Sequence, residues 1–160
     1  MEEIRNLIVI EDKYKVITNK HFVNCSFKEN SFFRATIGDC IFDDCDFEGS
    51  NFSKAIITRC KFTNCNFTYN GMGGISIVSS RFTGCDFSHS ILSFSKINNT
   101  TFINTQLKAI FKDLEWTGNS FDNTTIVESC GGTHCGLCQE DIDYIMENNR
   151  IFDKSRISLQ

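Results

Sequence analysis

Cys45-Asp46-Phe47-Glu48-Gly49-Ser50-Asn51-Phe52-Ser53-Lys54 reads as two copies of one five-residue unit: a small residue, any residue, a large apolar centre, then two polar or small residues. Extended outward in the same frame, an apolar centre falls on every fifth position from Ile17 to Leu107 without a miss. Every fourth centre is alike. Ile17, Ile37, Ile57, Ile77 and Ile97 form one series, and Phe22, Phe42, Phe62, Phe82 and Phe102 the next. Phe27, Phe47, Phe67, Phe87 and Leu107 form the third, and Phe32, Phe52, Met72 and Leu92 the fourth. A period of five nested in a period of twenty describes a coil with four sides.

The position two residues before each centre shares the interior with a large side chain and is mostly small. Cys25, Cys45, Cys65 and Cys85, continued by Thr105, make one column; Cys40 and Cys60 sit in another, and Ala35, Ala55, Ser50, Ser80, Ser90 and Ser95 fill much of the rest. Five fits neither the helical period near 3.6 nor the strand period of 2. A solenoid is what remains, each coil burying its apolar residues against its neighbours.

Units such as Cys65-Asn66-Phe67-Thr68-Tyr69 and Cys85-Asp86-Phe87-Ser88-His89 resemble the pentapeptide-repeat family. The resemblance covers about two thirds of the chain. It implies an all-β fold, a right-handed, parallel, four-sided β-helix with the centre and the small residue pointing inward. The continuation to Ile126 brings the shaft to about six coils, roughly 27 Å at the spacing of stacked strands. The expected organisation is an N-terminal β cap over residues 1–16, the β-helix over 17–127, and a Cys/Gly-rich loop, short helix and tail over 128–160. About function the repeat implies little, because it is a structural signature.

Charge is distributed unevenly. Residues 22–107 carry seven basic and seven acidic groups, whereas residues 108–160 carry five and nine, so the net charge of −4 lives in the C-terminal third. The shaft has one acidic cluster, Asp39, Asp43, Asp44, Asp46 and Glu48, with no acidic continuation one coil later. No long basic stripe is visible, which argues against direct nucleic-acid binding. Proline is absent, as suits a shaft whose backbone N–H groups are needed between coils. No stretch approaches the twenty or so apolar residues of a membrane span, and the start is acidic, so a cytoplasmic protein with reduced thiols is expected.

The ends break the pattern. Leu7 to Ile10 is a short apolar run expected to be a strand of the cap, and Asp12 interrupts the five-residue phase. After Leu107 the phase slips by one, to Phe111, Trp116, Phe121 and Ile126, predicting one residue deleted at a corner. Gln139 to Asn148 reads as a helix with Ile142, Ile145 and Met146 on one face, closing the last coil or, as the family resemblance implies, carrying a homodimer contact. Arg150 to Gln160 shows no pattern and is expected to be a mobile tail.

Four places invite a functional reading. Asn70-Gly71-Met72-Gly73-Gly74-Ile75 lacks the strand-to-helix context of a phosphate loop and reads as a local bulge or unusual corner. Cys130, His134, Cys135 and Cys138 have zinc-ligand character, with Cys-x-x-Cys spacing but no second pair, and a redox role is the alternative. His21 and His89 occupy outward positions and read as solvated. Large outward residues, notably Phe33, Tyr69, Phe94, Ile41, Ile56 and Ile91, suit partner binding, with the acidic cluster beside them.

No nucleophile motif, paired carboxylates or phosphate loop points to an enzyme. The expected function is therefore a non-enzymatic scaffold that presents flat β-helix faces to a protein partner. The family resemblance adds an alternative, a DNA mimic that binds and protects DNA gyrase or topoisomerase IV against quinolones or toxins. A near-neutral shaft counts against it, since a mimic of DNA needs an acidic surface.

Overall fold

The computed structural model describes residues 1–9, 15–128 and 138–158. The chain winds into a four-sided β-solenoid of about six coils with one short C-terminal helix. Among the described residues, one side is an eight-stranded parallel sheet running from Glu2–Arg5 to Arg150–Ile151. Its register places Ile4, Phe22, Phe42, Phe62, Phe82, Phe102, Phe121 and Ile151 in one column. A six-stranded sheet on the next side stacks Ile17, Ile37, Ile57, Ile77, Ile97 and Trp116. Phe27 and Phe32 head the remaining two columns, which are held largely by single bridges such as Asp46 to Asn66 and Asn51 to Gly71.

All the centres from Ile17 to Ile126 are buried. The coil spacing stacks rings of one column nearly parallel: Phe42 and Phe62 lie 4.8 Å apart at 2°, Phe67 and Phe87 4.7 Å apart at 4°. Between columns they meet edge-on, as Phe62 and Phe67 do at 5.3 Å and 71°. Both are favourable ring geometries, worth about 0.5–1.5 kcal/mol per pair beyond area burial.

The small interior position also has a polar task. The backbone N–H groups of Asn30, Ser50 and Asn70 donate to the side chains of Ser50, Asn70 and Ser90 one coil on, at 3.3, 2.9 and 3.0 Å. Cys45 donates its thiol to Phe22 O and Asp43 O at 3.5 and 3.4 Å, and Cys65 does the same to Phe42 O and Thr63 O. The interior thiols thus serve as weak donors as well as small apolar groups.

Sides turn through a left-handed residue two places after the centre, at every fifth position from Asn19 to Asn104, among them Asn24, Asp39, Asp44, Asn64, Gly84 and Asn99, and again at Asp113, Gly118 and Asn123. Asn, Asp and Gly tolerate positive φ best, which explains their frequency there. The Asn70 to Ile75 segment is no exception. Gly74, at φ +68°, is an ordinary corner, and Gly71 bridges Asn51 and Ile91 in regular register, so the expected bulge is absent.

The phase slip lies where the sequence places it. His89, at φ +62°, is the corner residue after Phe87, and its amide donates to Lys108 O. One coil on, the corner residue is the one deleted: Gln106–Ala109 runs straight on as a strand, and Ile110 pairs with Ile91. Stacking then resumes, with Ile97 on Trp116 and Phe102 on Phe121.

The ends extend the shaft further than the sequence reading expects. The N-terminal strand is Glu2–Arg5 rather than Leu7 to Ile10; within that run Ile8 makes one bridge to Ser26, and only Val9 among its described residues is buried. Helix α1 spans Gln139–Asn148, buries Ile142 and Ile145, and lies over Glu115–Thr117 at the open end. Asp141 accepts the Cys138 amide at 2.8 Å, and acidic groups in the first turn suit the helix dipole. After it Asn149 accepts from Asn119 N at 3.0 Å and donates to Trp116 O at 3.0 Å. The expected mobile tail instead adds strands Arg150–Ile151 and Ile157–Ser158 to two sides.

Phe67→Ala should remove about 3–5 kcal/mol of stability, because its ring sits between Phe47 and Phe87 with no room to repack. Phe33→Ala, at an exposed position, should change stability by less than about 0.5 kcal/mol. Urea denaturation of the two variants checks the contrast; equal losses would contradict this packing.

Candidate interaction face

The outward residues divide into those that pair within the shaft and those that do not. The acidic cluster belongs to the first group. Asp39 takes a two-point contact from Arg59 at 2.7 and 2.7 Å, and this hydrogen bonding holds its carboxyl below the usual range. Asp43 meets His21 at 2.7 Å, Asp44 accepts from Asn64 at 3.1 Å, and Lys28 contacts both Asp46 at 3.1 Å and Glu48 at 2.7 Å. These carboxylates sit along different edges, and each has a partner within the shaft, although only Arg59 and Lys28 among those partners carry a fixed positive charge. His21 also lies 3.5 Å from Glu3, so it is a bridge rather than a solvated side chain, and His89 stacks on Tyr69 at 4.9 Å.

A second set, of glycines and exposed rings rather than paired charges, gathers on the side whose centres are Met72 and Leu92. Here Gly71 and Gly73 hold the two outward positions of one coil. Neither needs to be glycine: both lie outside the positive-φ set, and an added Cβ would meet nothing nearer than Ser53 Oγ at 3.5 Å or Ser93 O at 3.9 Å. Glycine without such a need costs about 0.5–1 kcal/mol relative to alanine through the freedom of the unfolded chain, and it allows close approach of another molecule. Tyr69, 61% exposed, stands on one edge of this bare shelf and Phe94, 56% exposed, on the other, with Ile91 one coil below Gly71.

Tyr69 and Phe94 are both corner residues, at φ +59° and +58°. Bulky side chains are disfavoured there by about 1–2 kcal/mol relative to a right-handed conformation. Lys112 lies 6.0 Å from the Phe94 ring centre. Phe33 is on the same side, near the other end of the shaft, with Arg34 over its ring at 5.0 Å. Ile56 is exposed on the Ile face, and Ile41 is half-buried on the Phe face.

Of the zinc candidates, Cys130, His134 and Cys135 lie outside the described residues. Cys138 is exposed at the start of α1. Among the described residues no group of three or more His, Cys, Asp or Glu side chains is placed to hold a metal ion, and no helix is long and apolar enough to cross a membrane.

The coils carry a recognisable five-residue unit: residues 31–68 match the model of pentapeptide repeats in eight copies. Among solved structures it is similar to trypsin-treated QnrB1, a plasmid-mediated fluoroquinolone resistance protein. One such form matches with a TM-score of 0.62 at 19% identity over 80% of this chain and 71% of that one. A second matches at 0.63 and 17% over 99% and 87%. Rfr23, a pentapeptide repeat protein from the cyanobacterium Cyanothece 51142, matches at 0.56 and 10% over 78% and 90%. Identities this low speak to the fold alone. No curated protein matches the chain.

Burial pushes the Cys25 thiol up, the hydrogen bond shared with Cys40 together with burial pushes Cys60 up, and burial with the Cys45 contact pushes Cys65 up. The hydrogen bonds shared with Cys60 and Cys65 push Cys40, to about 7, and Cys45 the other way, so protection of the six interior thiols from a reagent rests on their burial inside the folded shaft. Of the nine cysteines, the six interior ones should resist a disulfide-exchange reagent at neutral pH in the native protein, and all nine should react in denaturant. Fewer than nine reactive thiols in non-reducing denaturant would reveal disulfides.

Proposed function

We propose that the protein is a non-enzymatic scaffold that binds a protein partner across the side carrying Gly71 and Gly73, with Tyr69, Ile91 and Phe94 as its anchors. The observation that carries this reading is the pairing of unneeded glycines with bulky residues on corner backbone that disfavours them. Both choices sacrifice stability. Local strain of this kind is characteristic of functional positions. A flat shelf with an aromatic at each edge offers a partner a close backbone approach and rigid contact area, the features of an interaction hot spot. A cytoplasmic setting, in which the thiols stay reduced, belongs to the same proposal.

The second reading is a type II topoisomerase as the partner. It is supported by the likeness of fold to QnrB1 over most of both chains. The balance of seven basic and seven acidic groups over residues 22–107, with Arg59 and Lys28 paired inside the acidic cluster, weighs against a DNA-like charge pattern. Addition of the protein to purified DNA gyrase, with and without a fluoroquinolone, separates the readings. Relief of drug inhibition supports the topoisomerase partner; unchanged supercoiling and unchanged poisoning remove it.

Two variants test the shelf. Gly73→Ala should raise stability by about 0.5–1 kcal/mol in urea denaturation, as expected where glycine has no structural task. Phe94→Glu should keep the fold and weaken capture of a partner, retained from native extract by the immobilised wild type, by at least about tenfold. A destabilised Gly73→Ala, or a partner retained equally by Phe94→Glu, contradicts the proposed face.

A further inference from the structure

The edge between the Ile side and the neighbouring Phe side carries a different surface. A hollow of about 390 Å³ is lined by Arg59, Lys61, Ser79, Arg81, Asn99 and Thr101. It forms because Ser79 is a short corner residue between Arg59 and Asn99 in its column. A second hollow of about 200 Å³ continues along the same edge past Asp39 and Ile41 and shares Arg59 and Lys61 with the first.

Lys61 and Arg81 are direct partners in the parallel register. They stand one strand spacing apart, about 4.8 Å. Both are exposed, and among the described residues neither has an ion-pair partner. Like charges directly opposite in a sheet are destabilising. Arg59 spends Nε and Nη2 on Asp39, which leaves Nη1 unengaged by that pair. The edge thus concentrates three cations against one carboxylate in a chain of net charge −4. Lys61 and Arg81 thus face outward without a carboxylate partner among the described residues, beside an Arg59 that keeps one amino group free of Asp39.

We infer that this edge is a docking trough for an acidic segment of a protein partner. The two hollows run in line from the level of Ile41 to that of Thr101, three coil steps or about 14 Å, which matches about four residues of extended chain. A trough open along its length suits carboxylates spaced along a peptide better than a single small anion. Three cations are too few to hold a nucleic-acid backbone, which is gripped by a longer basic stripe. The inference rests on the scaffold reading in that it names a class of partner, but it concerns a different edge from the glycine shelf.

The test is fluorescence anisotropy of a fluorescein-labelled hexaglutamate peptide with the full chain. The wild type should bind in a salt-dependent manner, and Lys61→Glu and Arg81→Glu should each weaken binding about tenfold or more while circular dichroism stays unchanged. Lys61→Glu should also raise Tm by about 2 °C, because it replaces a like-charge pair by an opposite one. Inorganic phosphate at matched ionic strength should not displace the peptide more than chloride does. Equal peptide binding by both variants, selective displacement by phosphate, or tighter binding of a duplex DNA oligonucleotide would each overturn the inference. The scaffold reading fails separately: it falls if Phe94→Glu retains the captured partner, whatever the peptide does.

Discussion

Each coil is tied to the next by main-chain hydrogen bonds repeated around its perimeter, such as Asp46 N to Cys25 O at 2.9 Å and Phe47 N to Asn66 O at 2.8 Å. This ladder fixes the distance between equivalent residues at the spacing of paired strands. Everything inside must tolerate a like neighbour at that distance. Phenylalanine does so well, because flat rings at 4.5–5.2 Å can stack nearly parallel, as from Phe22 through Phe121 and from Phe32 to Phe52. Cys, Ser, Thr and Asn succeed at the small position for a related reason. Each can hydrogen-bond to the backbone of an adjacent coil while occupying little of the space between the rings.

That constraint explains what could be read from the chain in advance. Twenty-residue columns, the corner deletion after Leu107 and the helix over Ile142 and Ile145 all leave a periodic trace, so they are legible. Glu2–Arg5, Arg150–Ile151 and Ile157–Ser158 leave none, because a strand of two to four residues is placed by the edge it covers rather than by its own pattern. Asn149 is invisible for the same reason: its amide matters only because Asn119 and Trp116 present unpaired backbone there. The carboxylate pairings were available in principle. Asp39 and Arg59 are separated by one full period of twenty, as are Lys28 and Glu48.

The open ends show the ladder's other consequence. An unpaired solenoid end is a template for further strands, a liability that natural sheets cover or shorten. At the C-terminus Ile142 and Ile145 cover the last coil, Asn149 satisfies its backbone, and the chain then returns to extend two sides by one short strand each. At the N-terminus a single strand, Glu2–Arg5, extends the Phe side, with Lys20 paired to Glu2 across the register. Short, charged edge strands of this kind discourage further addition.

The repeat also determines where functional information can reside. Inside, a substitution is answerable to the ladder, so interior residues report packing. Outside, the cheapest choices are Asn, Asp or Gly at corners and β-branched or paired polar residues along the sides. Much of the shaft follows that rule, from Asn64 at its corner to the Thr63 and Thr83 pair on the Phe side. Departures from it are therefore the informative positions: Gly71 and Gly73 where a Cβ would fit, Tyr69 and Phe94 where backbone disfavours them, and Lys61 against Arg81 where charge repels. A ladder that forces equivalence between coils makes each departure visible against its neighbours above and below. The same forced equivalence that stacks phenylalanines favourably sets two cations side by side, and a partner's carboxylate is the natural means of relieving the second without disturbing the first.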